Sequence, residues 1–372
     1  MELTITAKIR IYPSDNQIIV LKDTMHKIIK ALNCTSGYIY SNNCLVQREI
    51  HDNLYYHLRS SFGLKSQMSA SVIRASIAKY KSAKTNGHDF NLINFKQLEY
   101  DLVSNRDYSL NKDKFSINSL QGRLHIPYET KGMQKYFDGT YKFGTAKLVN
   151  KYGKYFLHIP VTKEYEECKL DDINQVVGVD LGINFLATVY DSSNQTIFFN
   201  GKKIKFKRAK NKSLRKELQK RQTPSARKRL KAIGQRENRW MNDVNHSVTK
   251  ALIDKYGKNT LFVLEDLTGI RNATKKVRVN NRYVSVSWAF YQFRVILEYK
   301  AKMNGCRVIV VDPRYTSQTC PKCGHIAKAN RNKKKHTFCC KNCTYTSNDD
   351  RIGAMNLWRK GIEYISKETI EI

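Results

Sequence analysis

The sequence predicts a multidomain α/β protein, and three observations predict it. Strand-like alternation opens the chain and returns between about residues 97 and 174, with a long helical stretch set between the two. The second half runs through a defined order of strand and helix patterns. Two cysteine knuckles then interrupt that order just before its last helix.

Charge narrows the class. Of 372 residues, 66 are Lys or Arg and 32 are Asp or Glu, a formal net charge of +34. Such a chain sits beside a polyanion or repels itself. At 41% hydrophobic it has material for real cores, which excludes disorder of the whole chain, and the length fits two or three domains. No run approaches the ~18 apolar residues of a membrane span. The opening MELTITAKIRIYP lacks the order of a secretory signal. Nine cysteines, five of them between Cys320 and Cys343, argue against a secreted disulfide framework and for a local metal site in a reducing compartment. A cytoplasmic nucleic-acid protein without a membrane partner is the expectation.

Residues 3–13 (LTITAKIRIYP) alternate as a strand and stop at Pro13. From Ser14 to about Tyr80, apolar residues recur at helical spacing, with Ile18, Leu21, Met25, Ile28, Ile29 and Leu32 in one stripe. Residues 84–96 break that pattern. RLHIPY and TAKLVNKYGKYFLHIPVTK are strand-like, the second a hairpin turning near Tyr152-Gly153. A helical block inserted into a β-rich module is the simplest organisation, and an acidic-leaning link, KEYEECKLDDIN (163–174), ends this half.

The second half opens with VVGVDLGINFLATVYDSSNQTIFFNGKKI, three antiparallel strands joined by tight turns. A very basic segment follows (202–239), relieved only by Glu217 and Glu237, and Pro224 splits it into two helices. After a helix running toward Tyr256, NTLFVLED (259–266) is a buried-type strand. A helix over Val286–Asn304 leads to a second, CRVIVVD (306–312), and NDDRIGAMNLWRKGIEYI (348–365) closes the order as a helix. Three meander strands, helix, strand, helix, strand, helix is the order of a ribonuclease-H-like domain.

Acidic residues stand where the apolar pattern says burial. Phosphodiester hydrolysis uses divalent ions, and hard Mg²⁺ prefers carboxylate oxygens. A lone buried carboxylate is costly without an ion or partner. Asp180 lies inside VVGVDLG, Glu265 and Asp266 end the run LFVL, and Asp349 and Asp350 open the last helix. Each has a plainer reading: a turn residue, a solvated strand end, and the end of a Ser347-x-x-Asp350 capping box. Together, on three elements of one domain, they read as a metal site.

The cysteines give the most specific signal. CPKCGH (320–325) and CCKNC (339–343) supply Cys320, Cys323, Cys340 and Cys343 in the spacing of a four-thiolate zinc ribbon, with Cys339 as the spare. Thiolates select Zn²⁺, and four of them close the coordination shell, so this site is structural. The basic loop KANRNKKKH between the knuckles carries enough charge to touch phosphate.

GVDLG (178–182), VLEDL (263–267), PRYTSQTCPKCG (313–324), and FCCKNC followed by NDDRIGAMNL (348–357) together resemble the TnpB family of transposon-encoded RNA-guided DNA endonucleases, relatives of compact type V CRISPR effectors. AKIRIYPSDNQ (7–17) and WAFYQFRVILEYKAKMNG (288–305) also look like that family. The resemblance implies a RuvC-like catalytic triad on Asp180, Glu265 and Asp350, holding two Mg²⁺. It favours Glu265 over Asp266 because the family's glutamate directly follows the apolar strand. It favours Asp350 over Asp349 from the step to Gly353-Ala354-Met355-Asn356, although Asn348 and an acidic doublet replace the usual Asp-x-Asp. An intact triad speaks against the nuclease-dead repressor relatives; a guide-independent nuclease and a strand-joining transposase are the other rivals.

The implied organisation is a β-barrel wedge (1–13 and 97–174) carrying a helical recognition insertion (14–96). It continues with a RuvC-like nuclease (175–318) containing a basic helical insertion (202–256), a zinc ribbon or target-nucleic-acid-binding insertion (319–346), and the last nuclease helix (347–372). The implied partners are a guide RNA encoded near the protein's own gene and double-stranded target DNA, in the bacterial or archaeal nucleoid. A heteroduplex needs a long basic surface. Lys202, Lys203, Lys205, Lys207, Arg208, Arg215, Arg221, Arg227, Arg229 and Arg236 are the candidate contacts.

Overall fold

The computed structural model describes residues 1–111, 114–267, 290–332 and 335–370. It divides into two compact units, Glu2–Glu164 and, with Met1, Tyr165–Ile372. The link expected to end the first half thus groups with the second unit from Tyr165 onward. Among the described residues no helix is long and apolar enough to cross a membrane.

The first unit is a curled antiparallel sheet with three helices between its first and second strands. Strand β1 (Glu2–Ile11) is followed by α1 (Asp15–Asn42), α2 (Gln47–Phe62) and α3 (Ser66–Thr85). Seven strands follow: β2 (Glu99–Leu102), β3 (Tyr108–Leu110), β4 (Lys114–Ser119), β5 (Gly122–Glu129), β6 (Lys142–Phe143), β7 (Ala146–Lys151) and β8 (Lys154–Glu164). Their order is β2-β7-β8-β1-β5-β4-β3, with β6 added on β8. Ser14 caps α1 in a capping box with Gln17. Of the apolar stripe, Leu21, Met25, Ile28 and Leu32 are buried, while Ile18 and Ile29 are half-buried. Tyr152 and Gly153 both take positive φ, as a two-residue hairpin turn between β7 and β8 requires. The Tyr100 hydroxyl of β2 donates to the Asn118 carbonyl of β4, so the two ends of the sheet meet.

The second unit centres on a five-stranded sheet: β9 (Gln175–Asp180), β10 (Phe185–Asp191), β11 (Thr196–Asn200), β12 (Thr260–Glu265) and β13 (Arg307–Val311), in the order β11-β10-β9-β12-β13. The first three form an antiparallel meander, and β12 and β13 run parallel to β9. Three helices join β11 to β12: α4 (Lys202–Arg221), α5 (Pro224–Ile233) and α6 (Arg236–Tyr256). Pro224 stands in the first turn of α5 behind the Thr223 cap, where its missing N–H costs nothing. Helix α7 (Phe290–Met303) precedes β13; the expected helix start at Val286 and Trp288 lie outside the described residues.

Short strands β14 (Arg331–Asn332), β15 (Thr337–Cys339) and β16 (Thr346–Asn348) then form a small sheet, and α8 (Asp349–Ile370) ends the described chain. Side chains alternate across the central sheet. Val177, Val179, Ala187, Val189, Phe262 and Leu264 pack with α6 and α7, while Val176, Leu261 and Val263 pack against Leu357 of α8.

Candidate active site

The α8 face of the central sheet carries one row of residues near the end of β9. Thr188 is paired with Asp180 on one side and with Phe198 on the other. On the far side of β9, Val263 pairs with Gly178 and Leu264 with Val179, so the next step sets Glu265 beside Asp180. Alternation then puts both acids on the α8 face, opposite the Val179 and Leu264 that fill the core.

Two glycines let α8 close on that face. A Cβ on Gly178 would stand 2.1 Å from the Ala354 carbonyl oxygen, and one on Gly353 would stand 2.9 Å from Asp180 Oδ2. Helix α8 therefore lies backbone-to-backbone on β9, and Asp350, one turn before Gly353, is carried to the same spot. The Ser347–Asp350 capping box, the plainer alternative for Asp350, does not form. Asn348 Oδ1 instead accepts the N–H groups of Asp350 and Arg351, at 3.0 and 3.1 Å. Ser347 Oγ accepts from Arg351 Nη1. Asp350 has no capping duty.

The acids repel one another in a dehydrated place. Burial, then the charges of Glu265 and Asp350, push the Asp180 carboxyl well above the usual carboxylate range. Burial also raises Glu265, against the lowering pull of the Thr316 hydrogen bond, Lys360 and Arg331. Asp350 is raised by burial and by Asp349, with Arg331 and His336 opposing. Asp349 Oδ1 and Asp350 Oδ2 are buried with no hydrogen-bond donor. A set of hard oxygen ligands with unsatisfied atoms and mutual repulsion suits a divalent cation.

Several neighbours were not foreseen. Arg331 Nε lies 2.8 Å from Asp349 Oδ2 and its Nη2 lies 3.7 Å from Asp350 Oδ1. Asn184 Nδ2 lies 2.8 Å from His336 Nε2, and His336 Nδ1 is 3.7 Å from Asp349 Oδ1. Both Arg331 and His336 belong to the basic loop between the knuckles, so at these two positions the loop reaches carboxylates, with Arg331 partly buried and His336 still open to solvent on one side. Thr316, within the TSQ that precedes the first knuckle, donates to Glu265 Oε1 at 2.5 Å. Asn356 of α8 donates to the carbonyls of Thr316 and Thr319, at 2.6 and 2.9 Å.

The cysteines behave differently. Cys320, Cys323, Cys340 and Cys343 bring their sulfurs within 4.8 Å of one another. Among the described residues theirs is the group of metal-ligating side chains that meets this spacing; the three acids do not form so tight a set. Sulfur pairs stand 3.6 Å (Cys320–Cys343) and 3.5 Å (Cys323–Cys340) apart, close to the ~3.8 Å edge of a tetrahedron with Zn–S of ~2.3 Å. Cys339 is exposed and outside the group. The residues fit a zinc ion.

The basic helices need one correction. Lys202, Lys203, Lys205, Lys207, Arg221, Arg227, Arg229 and Arg236 are exposed. Arg208 is not: it is only 2% exposed, with its Nε 3.9 Å from Glu237 Oε1. Arg215 is half-buried, reaching the same Glu237 and donating to the Gly234 carbonyl. These two arginines pin α4 to the start of α6 through a buried carboxylate. Arg221 pairs with Glu217, and Lys207 lies 4.0 Å over the Trp240 ring.

A "Cas12f1-like, TNB domain" family model matches residues 290–357, and a "Probable transposase" model, OrfB_IS605, matches 158–275. The resemblance to the TnpB family stands. A TnpB-like protein of Methanocaldococcus jannaschii is 28% identical over 63% of this chain and 83% of its own length. The Cas12f1 endodeoxyribonuclease of Sulfoacidibacillus thermotolerans is 26% identical over 64% of this chain and 58% of its own. A second Cas12f1, from Syntrophomonas palmitatica, is matched over 40% of its length, so the chain spans less than two thirds of these two relatives.

Among solved structures, a Cas12f1–sgRNA–target DNA complex aligns over 96% of this chain and 98% of its own, with TM-score 0.59 and 14% identity. The mini-RNA-guided endonuclease Cas_phi3 aligns over 96% and 92%, with TM-score 0.61 and 12% identity. At such identities the likeness is one of fold: multidomain α/β with a four-cysteine cluster.

Proposed function

We propose that this chain is an RNA-guided DNA endonuclease, hydrolysing DNA phosphodiesters at a RuvC-like site beside a short target-adjacent motif. The observation that carries the reading is the convergence of Asp180, Glu265 and Asp350 on one dehydrated spot, where Asp350 Oδ2 and Oδ1 of the adjoining Asp349 are buried without a protein donor. The strand order β11-β10-β9-β12-β13, an antiparallel meander continued by two parallel strands, supports a ribonuclease-H-like nuclease domain. The curled sheet of the first unit, its ends joined by Tyr100, supports a β-barrel wedge with the helices of 14–96 as its insertion. The names of the relatives, endodeoxyribonucleases and RNA-guided nucleases among them, support the activity.

Asp180, Glu265 and Asp350 would hold two Mg²⁺, which supply an activated water and a clamp on the leaving oxygen. Ions ~3.5–4 Å apart need ligands spread more widely than a single-ion cage, which suits a looser set than the thiolates. Glu265 is fixed by Thr316, and Asp180 is held against Gly353 of α8, the helix that carries Asp350. Arg331 balances the acids and offers a planar fork to a phosphate beside them. The four cysteines would hold one structural Zn²⁺. Exposed cations of α4 to α6, Lys202, Lys203, Lys205, Lys207, Arg221, Arg227, Arg229 and Arg236, would follow a nucleic-acid backbone. The partners would be a guide RNA encoded near the gene and target DNA, in the nucleoid.

The test is to purify the protein from cells carrying its native locus, sequence the RNA that stays with it, and offer matched duplexes with randomised flanks. A retained RNA from the locus, and cutting that depends on the match and one flank, is the expected result. Cutting without RNA would leave a guide-independent nuclease, and strand joining would make it a transposase.

A further inference from the structure

Thr188 occupies the middle of the row Phe198–Thr188–Asp180, on the strand next to the candidate ion site. It is 1% exposed, and its Oγ1 is buried with no hydrogen-bond partner. An unpaired buried hydroxyl costs stability. Valine has nearly the same shape, suits a strand at least as well and carries no such cost. The neighbouring β10 residues Leu186, Ala187 and Val189 are apolar and buried, so the strand's own packing gives no reason for a hydroxyl here.

The partner strand gives one. Residues directly opposite in an antiparallel ladder hold their Cβ atoms about 4.5–5.5 Å apart, within reach of a threonine hydroxyl and an aspartate oxygen. Here the Asp180 carboxyl leans on α8 at Gly353 and makes no bond to Thr188. The next acid in the row is already served: Glu265 receives the hydroxyl of Thr316, itself 2% exposed. Two adjacent acids thus each face a buried threonine, and only one of the two bonds is made.

We propose that Thr188 is a positioning residue for Asp180, its hydroxyl donating to the Asp180 carboxylate when divalent ions are bound. This rests on reading the acid cluster as an ion site. A carboxylate that ligates an ion keeps lone pairs for an outer donor, and such a donor sets its orientation. The apolar environment leaves Thr188 free for that role and for no other visible one.

The test uses the full-length, zinc-loaded protein with Mn²⁺ as probe, and needs no nucleic acid. Mn²⁺ binding is measured by calorimetry, and melting with and without Mn²⁺, for wild type, Thr188→Val, Thr188→Ser, and Asp180→Asn as baseline. Valine is expected to melt at or above wild type without Mn²⁺ yet to lose about tenfold in Mn²⁺ affinity. Serine, which keeps the hydroxyl but removes a methyl, is expected to melt lower and bind Mn²⁺ nearly as wild type does. Wild-type affinity in the valine variant overturns the proposal. So does a parallel loss of melting temperature and affinity in both variants, which would be packing alone. If wild type binds Mn²⁺ no better than Asp180→Asn, the ion-site reading itself fails and takes Thr188 with it.

Discussion

Two clusters in the second unit, the four thiols and the acids around Asp180, differ in how finished they are. The sulfurs of Cys320, Cys323, Cys340 and Cys343 stand at tetrahedral spacing. The acids are spread wider; burial and then neighbouring acids raise Asp180 and Asp350, and Asp349 Oδ1 and Asp350 Oδ2 are left unsatisfied. The difference follows from chemistry. A structural zinc site is a closed cage whose energy goes into folding. On the reading proposed above, the acid site must keep its ions accessible and so tolerates strain until they arrive.

The largest effect that could break this comparison is on cutting. Asp180 is central to the acid row, between Thr188 and Glu265, so Asp180→Ala should lower cleavage of a matched duplex roughly 1,000-fold, as expected for losing several kcal/mol of transition-state stabilisation. RNA and DNA binding should stay nearly unchanged in a filter or gel-shift measurement. Wild-type cutting by this variant would put the chemistry elsewhere.

The zinc side comes next in size. Cys323→Ser removes one of four thiolates from a closed site, so bound zinc, measured by elemental analysis, should fall from about one ion per chain to nearly none. Asn330 ties the ribbon together, donating to the Gln318 and His325 carbonyls and accepting from Lys341 N. Melting should therefore drop, by about 5–10 °C for a loss of a few kcal/mol. Cleavage should fall with it, because Arg331 and His336 reach the acids from this ribbon. Full zinc content in the variant would exclude the four-thiolate site.

The two clusters were not equally legible. The cysteine spacing lies within one short segment, so the pattern alone marks the ligands. Asp180 and Glu265 stood out because a charge in or at the end of an apolar run is conspicuous, and the doublet Asp349-Asp350 because it opens the last helix, with the choice of Asp350 resting on the family motif. Arg331, His336 and Thr316 did not, since their partners are distant in sequence and nothing local distinguishes Arg331 from the lysines after it. The plainer capping reading of Asp350 fell away because Ser347 and Asn348 are both capping residues, and backbone geometry chose Asn348. Arg208 and Arg215 looked like surface cations in a basic run. The signal that they are not was Glu237, one of only two acids in the run, which two arginines share in the interior.

The smallest effect is the sharpest test of unfinished acids, because its sign is unusual. A carboxyl whose folded pKa is raised above its unfolded value adds stability that is fully present below the unfolded pKa and lost as pH rises through the folded one. Asp180 is such a group, raised first by burial and then by Glu265 and Asp350. At neutral pH without divalent ions, its ionisation therefore opposes folding. Asp180→Asn removes that charge at nearly the same shape, so in chelator the variant should melt about 2–4 °C higher than wild type, for about 1 kcal/mol. The gain should shrink as pH falls toward the ordinary aspartate range, where wild type is itself protonated. Added Mg²⁺ should reverse the order, stabilising wild type and not the variant. A variant that melts lower in chelator at neutral pH would mean that Asp180 is already satisfied, and that the carboxylates, like the thiols, are a finished structural cluster.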